Sequence, residues 1–208
     1  MEDSDGAPRP IAAADESALV AGCRQGDSAS LDRFFRSYAR VVERVIARVV
    51  GPTPDLEDLV QNTFISAMRG FARYRGEASL KTWVTRIAIH VALRQLRGGV
   101  RRAVPLELVP AADEPRDAAP AADRALSDHE LAHRLHQLLD KISPKKRVAF
   151  LLYTVEEHSI EEVAALTGAG KAATKSRIWF ARRELLALVR GRPELHELTG
   201  ALGDGSWR

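Results

Sequence analysis

Cysteine is almost absent from this 208-residue chain: Cys23 is the only one. A single thiol cannot close an intrachain disulfide, which excludes a disulfide-stapled scaffold and fits a reducing compartment. Aromatic residues are sparse, at 6%, and few stretches alternate β-branched with polar residues, so little in the chain favours a sheet. No apolar run approaches the length of a membrane span. Residues 1–10 are acidic and proline-containing and do not read as a signal peptide. The expectation is a cytoplasmic protein with no membrane contact of its own. A strong excess of one charge is also missing, since 31 Lys and Arg face 28 Asp and Glu for a net charge of +3.

What is present favours helix. Hydrophobic residues make up 45% and charged residues 28%, and Ala, Leu, Arg and Glu dominate. Residues 1–14 read as a disordered tail, and 15–100 as a first helical domain. In 101–127, Pro105, Pro110, Pro115 and Pro120 recur without apolar periodicity, which reads as a flexible linker. A second helical domain spans 128–190, and 191–208 form a Gly- and Pro-punctuated tail. The fold class is therefore all-α, with two small helical domains on a tether and no internal repeat.

Within the first domain, Asp27 to Ser30 form a polar break. Leu31, Phe34, Phe35, Tyr38, Val41, Val42 and Val45 then recur at helical spacing. Gly51 to Pro54 stop that helix, and Thr53 is placed to cap the next, with Pro54 at its first position. That next helix carries Leu56, Leu59, Val60, Thr63, Phe64, Ala67 and Phe71 on one side, and Asp55, Glu57 and Asp58 in its first turn suit the positive helix end. Residues 75–79 read as a tight loop, and Ser79 caps a helix reaching about Arg97. Its buried stripe is Leu80, Trp83, Val84, Ile87 and Val91, while Arg86, His90, Arg94 and Arg97 line another side.

In the second domain, Leu131, Leu135, Leu138 and Leu139 mark an entry helix. Ser143-Pro144 starts the next one. Ser159 to Glu162 form a capping box, and Gly168 closes that short helix. A last helix from about Lys171 has Thr174, Ile178, Ala181, Leu185 and Leu188 as its seam. A short helix, a glycine-containing turn and a longer basic helix make a helix-turn-helix pattern, whose second helix can enter a major groove.

Charge is concentrated in two segments. Arg69, Arg73, Arg75, Lys81, Arg86, Arg94, Arg97, Arg101 and Arg102 are opposed only by Glu77. Lys171, Lys175, Arg177, Arg182, Arg183, Arg190 and Arg192 are opposed only by Glu184. Two cationic segments suit two contacts with one polyanion, the plain alternative being two solvated helix faces.

Three motifs together carry a family resemblance. Residues 55–64 (DLEDLVQNTF) resemble the polymerase-binding helix of extracytoplasmic-function (ECF) sigma factors, members of the sigma-70 family. Residues 74–88 (YRGEASLKTWVTRIA) resemble their promoter-melting and minus-ten-reading segment. Residues 174–177 (TKSR) with 181–183 (ARR) resemble their minus-thirty-five recognition helix. The likeness covers about Asp15 to Val189. Some positions depart from the usual pattern: Asn62, His90, Arg94 and Thr174, and the adjacent Trp179 and Phe180 in the recognition helix.

The resemblance implies a non-enzymatic sigma factor that binds core RNA polymerase and promoter DNA, needs no cofactor or metal, and has an anti-sigma partner. It places the core-polymerase contact at Asp55, Asp58, Leu59, Gln61, Asn62 and Phe64. Strand opening and minus-ten reading fall to Arg73, Tyr74, Arg75, Gly76, Glu77, Ser79, Lys81, Trp83, Arg86, His90 and Arg94. Tyr74 is the candidate base platform, because Trp83 lies in an apolar stripe. Minus-thirty-five contacts fall to Lys171, Lys175, Ser176, Arg177, Trp179, Arg182 and Arg183.

Two other readings compete. A helix-turn-helix regulator acting without polymerase would explain the second domain but not the melting loop or the acidic helix. Residues 129–133 also match the H-E-x-x-H zinc pattern, with His136 following. The histidine face lies opposite Leu131, Leu135 and Leu138, which leaves no dry cleft for hydrolysis.

Overall fold

The computed structural model describes residues 13–98 and 133–190, and the linker, the C-terminal tail, Leu131 and His129 lie outside them. All regular structure among the described residues is helical. The first domain holds α1 (Ala13–Gln25), α2 (Ser28–Val50) and α3 (Leu56–Gly70), then a 3-10 turn (Phe71–Arg73) and α4 (Leu80–Arg97). Helical residues 133–139 form α5, followed by α6 (Pro144–Thr154), α7 (Ile160–Thr167) and α8 (Lys171–Val189).

Local chemistry sets most boundaries. Gly26 takes a φ of 75° between α1 and α2, a conformation that carries no Cβ penalty for glycine. Asp27 then caps α2 by accepting from the Ser30 N–H at 2.9 Å. Ser79 accepts from the Thr82 N–H at 3.2 Å to start α4. Ser159 and Glu162 form a reciprocal capping box on α7, and Gly168 ends that helix in the left-handed region. One boundary differs from expectation. Thr53 accepts from the Asp55 N–H at 3.2 Å, which uses its hydroxyl in a turn before the helix, so Asp55 becomes the N-cap and Leu56 the first helical residue.

Phe34 centres the first core. It meets Tyr38, Phe64 and Phe71 at ring-centroid distances of 5.3, 5.5 and 5.0 Å, the last two edge-to-face. Such pairs add about 1 kcal/mol beyond burial. In the second domain α6 and α8 pack around Leu139, Phe150, Leu151, Ala181 and Leu185, with α7 set across them.

The two domains do not stand apart. α4 packs against α2 and α3, and also against α6 and α7. One apolar core runs from Phe34 and Val84 through to Val148, Val163 and Ile178. This explains why α4 is buried well beyond the single stripe read from sequence, with Ala88, Ile89, Ala92 and Leu93 also inside.

The polar joint lies at the end of α2. Arg147 of α6 is 1% exposed. It donates to the Val50 carbonyl at 2.9 Å and also bonds Asp140. His136 of α5 lies 3.2 Å from the Arg48 carbonyl, and the Arg48 guanidinium pairs with Glu156. A helix C-terminus leaves carbonyls without intrahelical donors and carries partial negative charge. Here the second domain supplies the donors. Gly51 must be glycine at this joint, because its φ is 78° and a Cβ would sit 2.4 Å from the His136 ring.

The α8 seam buries one polar group without a partner. The Thr174 hydroxyl on the α8 seam is 0% exposed and has no hydrogen bond. An unmet buried hydroxyl costs about 1–3 kcal/mol. Thr174→Val should therefore raise unfolding free energy by about 1 kcal/mol in chemical denaturation, with DNA affinity unchanged. A loss of stability would show that the hydroxyl is satisfied.

Candidate nucleic-acid and polymerase interface

The loop after the 3-10 turn is built from both ends by α1. Arg24 donates to the carbonyls of Phe71, at 3.1 Å, and Tyr74. Glu16 accepts from the Tyr74 hydroxyl at 3.0 Å and from the Leu80 N–H at 2.5 Å. The Tyr74 hydroxyl also lies 2.7 Å from the Ala78 carbonyl. Burial and the Glu16 carboxylate push the Tyr74 phenol up to about 12, so it remains a donor at any physiological pH. Glu16 and Arg24 were not singled out from sequence, because the partners they hold lie 47 to 64 residues away along the chain. The only local sign was an acid and a base on the α1 helix.

This anchoring changes the role of Tyr74. Its side chain is buried, and its ring packs at a tilt against Trp83 at 5.0 Å, with Trp83 tilted in turn against Phe71 at 5.1 Å. Tyr74 is thus a frame for the loop and offers no free base platform in this conformation. Trp83 is half-buried at the edge of the core and keeps one margin open.

Beside this frame lies a cleft of about 860 Å³ whose lining includes Arg24, Arg73, Arg75, Glu77, Trp83 and Arg86. Four guanidiniums around one carboxylate make it strongly cationic. The Arg86 side chain lines the cleft, and its Nε is buried without a hydrogen-bond partner. Gly76, at the loop tip, takes a φ of 74° with open space where a Cβ would be. Along α4 the exposed side continues with Lys81, His90, Arg94 and Arg97, the His90 ring held 2.7 Å from the Arg86 carbonyl.

The acidic helix separates into two faces. Asp58, Gln61 and Asn62 are exposed, at spacings of three and four that share one side of α3. Leu59 and Phe64, assigned to the same contact from sequence, are each 6% exposed and belong to the core. Asp55 is half-buried and accepts from Gln95 of α4 at 3.0 Å. Two exposed apolar side chains were missed: Met68 on the same side of α3, and Phe35 of α2, whose ring meets Phe64 at a tilt with centroids 4.8 Å apart.

In the second domain, α7 and α8 form the helix-turn-helix. Lys171, Lys175, Ser176, Trp179 and Arg183 are exposed on α8, whereas Arg177 and Arg182 are half-buried. Lys171 reaches back to Glu161 of α7 at 2.8 Å, and that contact holds the Glu161 carboxyl below the usual carboxylate range. Gly170 caps α8 without a side-chain hydrogen bond. Of the zinc-like pattern, His129 lies outside the described residues. His133 lies 3.0 Å from the Gln137 amide while His136 is turned to Arg48, and no cluster of metal-ligating residues occurs among the described residues. No helix among them is long and apolar enough to cross a membrane.

Comparison with known proteins bears on both domains. The family model for Sigma-70 region 2 matches residues 34–102, and that for Sigma-70, region 4 matches residues 132–185. The ECF RNA polymerase sigma factor SigM of Mycobacterium tuberculosis (strain H37Rv) is 28% identical over 172 residues, covering 82% of this chain and 83% of the relative. The ECF RNA polymerase sigma-E factor of Escherichia coli K12 is 29% identical over 174 residues, covering 80% and 90%. SigE of Mycolicibacterium smegmatis is 32% identical over 167 residues, covering 77% and 63%.

Among solved structures, CnrH in complex with the cytosolic domain of CnrY superposes with a TM-score of 0.59 at 20% identity, covering 85% of this chain and 98% of that one. The sigma factor RpoE in complex with the anti-sigma factor NepR, from Bartonella quintana, gives 0.52 at 20% identity, covering 77% and 97%. At these identities the structural likeness speaks to fold, while the two family models span both helical domains in the expected order. The chain belongs to the sigma-70 family and is a sigma factor of the extracytoplasmic-function type.

Proposed function

We propose that this sigma factor divides its work among three surfaces. The exposed side of α3, with Asp58, Gln61 and Asn62 flanked by Phe35 and Met68, docks on a basic surface of core RNA polymerase. Carboxylates there steer the encounter, and the apolar side chains hold the docked state. The cationic cleft beside Tyr74 and the basic side of α4 capture the opened minus-ten strand. Unpairing bases costs a few kcal/mol per step, so strand opening needs a site that binds what is exposed. The α8 helix reads the minus-thirty-five element in the major groove. The two domains correspond to residues 15–100 and 128–190, joined by a linker over 101–127.

The single observation that carries this reading is the cleft lined by four guanidiniums, those of Arg24, Arg73, Arg75 and Arg86, against the one carboxylate of Glu77. Packing gives no reason to gather four cations around one carboxylate, whereas a nucleic-acid backbone supplies the missing negative charge. Both solved neighbours are complexes with a second protein, described for RpoE as an anti-sigma factor. That supports an anti-sigma partner for this chain too, masking the α3 face until released. Action on polymerase places the protein in the cytoplasm.

The test is transcription of fragmented genomic DNA by core polymerase with and without the purified chain, mapping RNA 5′ ends. New start sites sharing two elements at fixed spacing are expected. Binding to duplex DNA without any new start site would instead identify a regulator that acts without docking. A variant carrying Asp58→Lys, Gln61→Ala and Asn62→Lys should lose co-elution with core polymerase, with affinity down about 30-fold, and keep its helical circular dichroism. Unchanged co-elution would move the docking face elsewhere.

A further inference from the structure

The outward face of α8 is unusual for a helix that reads DNA by hydrogen bonding. Its buried side is Thr174, Ile178, Ala181, Leu185 and Val189. The opposite side presents Ala172, Ala173, Ser176, Trp179 and Phe180, all exposed. Arg183 shares this face with its guanidinium over the Trp179 ring, and of the others only Ser176 carries a strong hydrogen-bonding group, the Trp179 indole N–H apart. Trp179 and Phe180 are each 43% exposed and meet edge-to-face at 4.8 Å.

Both rings are held by cations. The Arg183 guanidinium lies 5.4 Å from the Trp179 ring, and Lys146 of α6 lies 5.7 Å from the Phe180 ring while pairing with Glu184 at 2.6 Å. The rings therefore have neighbours that fix their orientation, yet both remain substantially exposed. Around them stand Lys175, Arg177, Arg182 and Arg183, with Glu184 already neutralised by Lys146.

An apolar strip inside a cationic rim has a chemical complement in duplex DNA. Phosphates line the edges of the major groove, and the one apolar group on its floor is the thymine C5-methyl. Alanine and aromatic side chains are the residue types that contact that methyl. The one arginine central on this face, Arg183, has its guanidinium engaged on the Trp179 ring, and the two central positions in the third turn are aromatic. The small Ala172 and Ala173 let the first turn approach the groove floor closely.

We propose that Trp179 and Phe180, with Ala172 and Ala173, make this helix selective for thymine methyl groups in the upstream promoter element, so that A·T pairs rather than guanine contacts set its specificity there. This rests on the assignment of α8 as the minus-thirty-five reader and adds the base class it selects. The alternative occupant of the same face is a protein partner.

The experiment uses holoenzyme assembled from core polymerase and the full chain, on a promoter found in the genomic start-site mapping. Each thymine of the upstream element is replaced by uracil, which removes the methyl and leaves base pairing intact. For the wild-type chain, loss of the contacted methyls should weaken promoter binding about 5- to 10-fold, and uracil at positions outside the element should change nothing. A chain carrying Trp179→Ala and Phe180→Ala should bind the thymine promoter about as weakly as wild type binds the uracil one, and should no longer distinguish the two.

Equal binding of the thymine and uracil promoters by the wild-type holoenzyme overturns the proposal, and this arm needs no variant to fold. Undiminished thymine preference in the double variant also overturns it, and weakened capture of a protein partner alongside would assign the face to that partner. Absence of any start site on genomic DNA would fell the sigma-factor mechanism as a whole, a result distinct from initiation that ignores the methyl group.

Discussion

Replacing Arg147 with alanine should destabilise the folded chain by roughly 3–5 kcal/mol, the range for truncating a large side chain in a packed core. The guanidinium joins α6 to the turn just before it through Asp140, and to the last residue of α2, 97 residues away, through the Val50 carbonyl. Burial lowers its pKa to about 10, which still leaves it cationic at neutral pH. Truncation would leave the Val50 carbonyl without this donor and a cavity where a large side chain stood. Arg147→Met fills most of that volume and removes the cost of desolvating a charge, so its loss should be clearly smaller. Urea denaturation of the three proteins decides the matter. A change under 1 kcal/mol for the alanine variant would mean that the joint between the domains does not hold them together.

The second large effect concerns strand opening. Arg73→Ala, Arg75→Ala and Arg86→Ala combined should slow promoter opening by about 100-fold, since each removes a cation from one cleft and the losses compound only partly. Association with core polymerase should be unchanged, because α3 is untouched. Glu16→Ala should give a smaller defect, about tenfold, confined to the opening step and absent from initial promoter binding. Glu16→Gln should recover most of it, because the amide oxygen still accepts from the Leu80 N–H and the Tyr74 hydroxyl. That pattern identifies Glu16 as a positioning residue acting through the loop. A defect of equal size in initial binding and opening would indicate general destabilisation. Stopped-flow fluorescence of a promoter labelled in the minus-ten region separates the two steps.

Much of the architecture could be read directly. Ser79, the Ser159–Glu162 box and Gly168 announce their helix boundaries within four residues of chain, where local hydrogen bonding decides. The exposed basic side of α4 followed from spacing alone. What escaped was set by contacts distant in sequence. Leu59 and Phe64 lie among the residues that carry the resemblance, yet they face the core, because a matched segment of helix includes both of its sides. Tyr74 combined an aromatic ring with a basic loop and so suggested stacking, but the α1 carboxylate that fixes it is 58 residues away. Arg147 gave no signal at all: Pro144 to Arg147 read as an ordinary helix start, and only packing of α6 on the end of α2 makes that arginine a cap. The continuity of the core across both domains was hidden for the same reason. Helical periodicity describes one helix at a time, and α4 is apolar on more sides than its own domain requires.

The central claim is that this chain makes polymerase open DNA at a defined place, and unpaired thymines report that directly. Permanganate should be applied to a promoter identified by start-site mapping, with core polymerase and the chain together and with each alone. Reactive thymines confined to the minus-ten region and dependent on both proteins are the predicted result. A duplex equally unreactive in all three samples, under conditions where the chain is bound to polymerase, would contradict the mechanism.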